Sequence, residues 1–173
     1  MKLQQLFETI DQRNLLRELA KELGYSDPAL YQIWEEHDIN KDVKVALELF
    51  HVHMDTEGSI SLYDRLSALE TWKEQETHAI QDAFEAFEGT SFEELEGVKE
   101  MKEAMQLMKA SHAHMIESVK NMKKIYQLLS AFNNIAVGSD PRQNQDEGDA
   151  KYRATICRAG LKKLGITARR IGD

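Results

Sequence analysis

Leu3, Leu6, Phe7 and Ile10, then Leu15, Leu16, Leu19 and Leu23, recur at three- and four-residue intervals, so the chain begins as an amphipathic helix. Gly24 stops it. Asp27 and Pro28 then supply a start signal, an N-cap acceptor followed by a proline whose missing N–H costs nothing at the first helical position. A short helix over about 28–37 is expected, with Leu30, Ile33 and Trp34 inward. Asn40 is placed to cap a third helix whose Val43, Ala46, Leu47, Phe50 and Met54 form one stripe. Val45, Leu49 and Val52 widen that stripe until the helix should be buried on most sides. Gly58 and Ser59 break the chain again.

The largest feature follows. Leu62, Leu66, Leu69, Ile80, Ala83, Phe84 and Phe87 predict one long helix over 60–88, and Glu88-Gly89-Thr90-Ser91 a turn. Thr90 with Glu93, or Ser91 with Glu94, offers a capping box for the next helix. That helix should run unbroken to Ala136. Its apolar positions alternate in steps of three and four: Val98, Met101, Met105, Met108, His112, Met115, Val119, Met122, Tyr126, Leu129, Asn133 and Ala136. This is a coiled-coil-like seam, narrower than an ordinary globular face. Some 45 helical residues extend about 70 Å, more than the preceding helix can cover. The distal part must therefore pack on the first three helices or on a second copy of the chain.

Residues 138–149 carry no apolar side chain except Pro141 and read as a flexible linker. A last helix over about 150–164, with Tyr152, Ile156, Ala159, Leu161 and Leu164, should end at Gly165. The expectation is an all-α fold. Residues 1–137 form a helical bundle containing a long antiparallel hairpin over about 60–136. The linker then leads to a basic C-terminal helix and tail over 150–173.

Composition supports that class. Among 173 residues there are two prolines and nine glycines, few enough to favour helix over an all-β fold. No run reaches the roughly 18 apolar residues that span a bilayer. The start, Met-Lys-Leu-Gln-Gln, lacks the apolar run of a signal peptide. The lone Cys157 excludes a disulfide framework within one chain, and the expected compartment is the reducing cytoplasm. The net charge of -8 is unevenly spread. Residues 151–173 hold seven basic side chains against one acid, leaving the first 150 residues at -14. An acidic body repels nucleic acid, so only the tail could contact phosphate, and its expected use is to fold onto acidic protein surface.

Motifs for chemistry are sparse. Asp38, Asn40 and Asp42 match the first half of an EF-hand loop, but Val43 stands where the turn glycine belongs and Leu49 where the bidentate glutamate belongs. A helix-capping turn explains the same residues. Glu48 and His51 have the Glu-x-x-His spacing of bundle di-iron sites, yet no second such pair exists. His112, at a seam position between Met108 and Met115, is expected to be a buried imidazole that sets helix register. No nucleophile elbow or phosphate-binding glycine loop is present. Ala159–Ile171 resembles the turn of a helix-turn-helix, with Leu164-Gly165-Ile166-Thr167 at the bend. It departs at Leu161, where that motif has a small residue, and leaves barely two turns for a recognition helix.

The sequence thus predicts no catalytic residue, metal or cofactor. It predicts a non-enzymatic interaction protein, an adaptor, regulator or chaperone-like partner of another polypeptide. The candidate contact residues are Met101, Met105, Met108, His112, Met115, Met122, Tyr126 and Leu129, with self-association through 112–136. The alternative is a nucleic-acid-associated factor using Arg158, Lys162, Lys163, Arg169 and Arg170. No membrane contact is expected.

Overall fold

A computed structural model describes residues 3–25, 27–55, 62–86, 96–139 and 146–170. It is all-α, with no strand among the described residues. The helices are α1 (Leu3–Glu22), α2 (Pro28–Ile33), α3 (Ile39–Asp55), α4 (Leu62–Glu85), α5 (Glu96–Val137) and α6 (Glu147–Lys163). No helix among these residues is long and apolar enough to cross a membrane. The turn expected at 88–91, and the capping boxes beside it, lie outside the described residues.

Contacts divide the chain into two compact units, and the division runs through α5. The first comprises Met1–Tyr63 with Asn121–Asp173. Here α1 packs on both α3 and α6. A continuous core joins Leu16 and Leu19 of α1, and Leu23 just after it, with Ile33 and Trp34. Val43, Leu47 and Phe50 of α3 complete one side of it. The other side comes from Ile125, Leu129, Phe132 and Ile135 of α5, with Cys157 and Leu161 of α6. Two edge-on aromatic pairs tie α5 to its neighbours: Tyr25 to Phe132 at 5.8 Å and Phe50 to Tyr126 at 5.4 Å between centroids. At Gly160 the helices come close, and an added Cβ there would lie 2.8 Å from Leu19 Cδ2. Glycine is the residue that lets α6 lie so near α1.

Helix ends follow local chemistry. At the end of α1, the N–H of Tyr25 donates to the Ala20 carbonyl at 2.9 Å and Gly24 takes φ +77. That is a Schellman ending, and its left-handed residue favours glycine. Gly165 closes α6 in the same way with φ +78, and Ile166 donates to Leu161 O at 2.8 Å. The side chains of Leu161 and Ile166 are both buried, the apolar contact that accompanies this motif.

Four sequence expectations change. Helix α2 stops at Ile33, four residues short of 37. Helix α3 starts at Ile39, so the capping position falls to Asp38, whose carbonyl accepts from Lys41 and Asp42, and Asn40 lies inside the first turn. Val52, expected to be covered, is exposed because α3 buries one stripe only. Helix α6 begins at Glu147, capped by the Asp146 carboxylate accepting from Gly148 N at 2.9 Å, so 147–149 are helix rather than linker.

The second unit is Asp64–Lys120, most of α4 and the N-terminal part of α5. Lys109 Nζ donates to Gln81 Oε1 at 3.0 Å, His112 Nε2 lies 3.6 Å from Glu76 Oε2, and Lys120 Nζ lies 3.5 Å from Glu74 Oε1. Leu66, Ile116 and Val119 are its buried apolar side chains among the described residues.

Candidate interaction surface

The seam of α5 does not present one face. In the second unit Met105 and His112 are half-buried and Val119 is buried, whereas Met101 is 40% exposed, Met108 50% and Met115 46%. The reason is the helical period. Positions seven apart stay nearly in line on a helix of 3.6 residues per turn, so the two halves of a 3,4 pattern lie on adjacent stripes. The stripe through 105, 112 and 119 meets neighbouring structure. The stripe through 101, 108 and 115 lies beside it and is open. Leu107, 73% exposed, stands about 100° further round the helix, and the small residues Ala104 and Ser111 lie between it and the methionines.

Met122, Tyr126 and Leu129 have a different fate. Met122 packs half-buried against the core of the first unit, and Tyr126 and Leu129 lie within that core. Burial pushes the Tyr126 phenol up to about 12. Of the segment expected to bind a second copy, 112–136, the part from Asn121 onward is therefore covered by the chain's own helices. The first three helices, joined by α6, take the place of a second copy.

His112, expected to be a buried imidazole on one seam with Met108 and Met115, is half-buried on the side of α5 that meets α4, apart from those two exposed methionines. Its Nδ1 is buried without a hydrogen-bond partner, and Glu76 facing its Nε2 also accepts from Lys73 Nζ at 2.9 Å. Lys73 in turn lies 4.2 Å from the centroid of the exposed Trp72 ring.

No family model, curated protein or solved structure matches the chain. The reading of the surface therefore rests on these residues alone.

The basic C-terminal segment docks on the first unit through backbone carbonyls. Arg158 Nε donates to Ala136 O at 2.8 Å and Arg153 Nη2 to Leu23 O at 3.3 Å, placing cations at the C-terminal ends of α5 and α1. Those ends carry partial negative charge and unpaired carbonyls, so a guanidinium satisfies both. Tyr152 OH donates to Glu22 Oε1 at 3.0 Å, and that hydrogen bond to a carboxylate raises the phenol's pKa. Residues 166–170 are not helical, so the resemblance to a helix-turn-helix stops at the bend. They are held by Asn133, whose Nδ2 donates to Arg169 O at 2.9 Å and whose Oδ1 accepts from Arg169 N at 3.1 Å. Lys162, Lys163, Arg169 and Arg170 are exposed.

Sequence reasoning missed these anchors, although Asn133, a polar residue at a seam position, was their signal. It also missed Asn121 and Asp42. Both are buried, and Asn121 Nδ2 donates to Asp42 Oδ2 at 3.4 Å. Asp42 thus points into the core between α3 and α5, the opposite of a loop ligand. Among the described residues no group of three or more His, Cys, Asp or Glu side chains could hold a metal ion.

Proposed function

We propose that this protein is a non-enzymatic interaction module that offers the N-terminal part of α5 to another polypeptide. One observation carries the reading. Met101, Met108 and Met115 stay exposed at seven-residue spacing, with the exposed Leu107 about 100° further round the helix, while the same pattern further along α5 is filled by the chain's own core. Large apolar side chains in a contiguous exposed stripe cost hydration free energy that a partner would recover. Methionine suits the role because its unbranched, polarisable side chain adapts to different facing shapes. The contact is the face a helix uses when it lies along another helix.

The test is site-specific photocrosslinking in native lysate. A photoreactive phenylalanine analogue in place of Leu107 should give discrete adducts with another protein. Replacing Met101, Met108 and Met115 with serine should abolish them. Identical adducts from the same probe at Val52, exposed on the first unit, would mean that the stripe has no special role.

A further inference from the structure

We infer that the partner of this face is a cationic amphipathic helix. The inference rests on the interaction reading above and adds the partner's charge and length. The second unit holds 13 acidic side chains against six basic ones, a net -7 out of the -8 of the whole chain. The first unit is therefore close to neutral, and the net negative charge of the chain belongs to the residues of the second unit.

The arrangement of charge along α5 sharpens the point. Lys102, Lys109 and Lys120 are half-buried, and two of them are engaged with α4, Lys109 with Gln81 and Lys120 with Glu74. Glu100, Glu103 and Glu117 are exposed instead. Glu103 stands one turn before Leu107 and Glu100 one turn before Ala104, so both acids lie on the Leu107 side of the methionine stripe, Glu100 the nearer to it. Lys99 is the one exposed base of this stretch, a turn before Glu103. An apolar strip with carboxylates along one side is complementary to a helix whose apolar strip has arginine or lysine along the facing side.

A second copy of this chain fits less well. It would bring another -7 unit against the first and set carboxylates beside carboxylates, which costs free energy on close approach. Length follows from geometry. Met101 to Met115 is 14 residue steps, about 21 Å of helix, so a partner of about 20 residues spans it. The small side chains at Ala104 and Ser111 leave hollows between Leu107 and the methionines for a partner's knobs.

The experiment is a fluorescence anisotropy titration of the full-length protein with three labelled helical peptides of about 20 residues. All share one leucine face, and their flanking positions are arginine, glutamine or glutamate. The arginine peptide should bind at least about tenfold more tightly than the glutamate peptide, and raising salt above about 150 mM should narrow that margin. Met108→Ser should weaken every peptide that binds. Glu100→Gln with Glu103→Gln should weaken the arginine peptide several-fold and leave the glutamine peptide unchanged. Helicity by circular dichroism, unaltered in these exposed variants, separates lost contact from lost folding. Equal binding of all three peptides, still sensitive to Met108→Ser, would overturn the charge inference and keep the interaction reading. Binding insensitive to Met108→Ser, or no binding at all, would overturn both. A dimer in sedimentation that Met108→Ser disperses would assign the face to a second copy and overturn the inference.

Discussion

The two ends of α5 carry the same spacing of large apolar side chains and meet opposite surroundings. Between 121 and 137, Ile125, Leu129, Phe132 and Ile135 are fully buried among α1, α3 and α6. Between 96 and 120, Met101, Leu107, Met108 and Met115 stand open, and Ile116 and Val119 are the buried apolar side chains among those described. The residue types differ along with the environment. Branched and aromatic side chains fill the packed end. Unbranched methionine supplies three of the four large apolar side chains that stand open at the other. Rigid side chains suit a fixed cavity and flexible ones suit a surface that must fit something else. Charge follows the same division, with nearly all of the net negative charge in the second unit.

Paired substitutions on the one helix test this difference most severely. Phe132→Ala leaves a cavity in the core and should cost about 3–5 kcal/mol in denaturant unfolding. Met108→Ala, on the open stripe, should cost less than about 1 kcal/mol. Equal losses would erase the distinction between the two ends.

Asn133→Ala comes next. It removes two hydrogen bonds to the Arg169 backbone from a fully buried site, so about 2–3 kcal/mol is expected. Amide exchange at Arg169 should accelerate while exchange within α4 stays unchanged. Slow exchange at Arg169 in the variant would show that the tail is held by something other than Asn133.

Burial of Tyr126 gives a pH-dependent measure of the packed end. Its phenol is raised from 10.0 to about 12, so the folded state holds this proton more tightly than the unfolded state does. The contribution is complete below pH 10 and is lost as pH climbs from 10 towards 12, on the order of 2 kcal/mol in all. Wild-type protein should therefore lose more stability over that interval than Tyr126→Phe. Parallel pH curves for the two would place the hydroxyl in contact with water.

The smallest effect belongs to His112, in the sparsely buried unit. With Nδ1 buried and unpaired, His112→Leu removes an uncompensated polar group, so melting temperature should hold or rise by a few degrees. A clear fall would mean that the approach of Glu76 stabilises the helix pair.

The sequence by itself determined the helices, and for local reasons. Periodicity located α1, α3, α4 and α5, and glycine at the left-handed positions ended α1 and α6 where Gly24 and Gly165 stand. Boundaries set by competing caps moved: Asp38 rather than Asn40 opens α3, and Asp146 opens α6 three residues before the expected start. Of the candidate surface, the methionine seam was legible, but its division into an open stripe and a covered one was not. Only tertiary structure decided that Met101, Met108 and Met115 remain exposed while Tyr126 and Leu129 are enclosed. It also decided that Asn133 grips the tail and that Arg158 donates to the Ala136 carbonyl at the end of α5. The physical reason is range. Helix formation and capping depend on residues within about four positions, which a sequence displays directly. Burial depends on which distant segment arrives, and a hydrophobic stripe specifies that it will be covered without specifying by what.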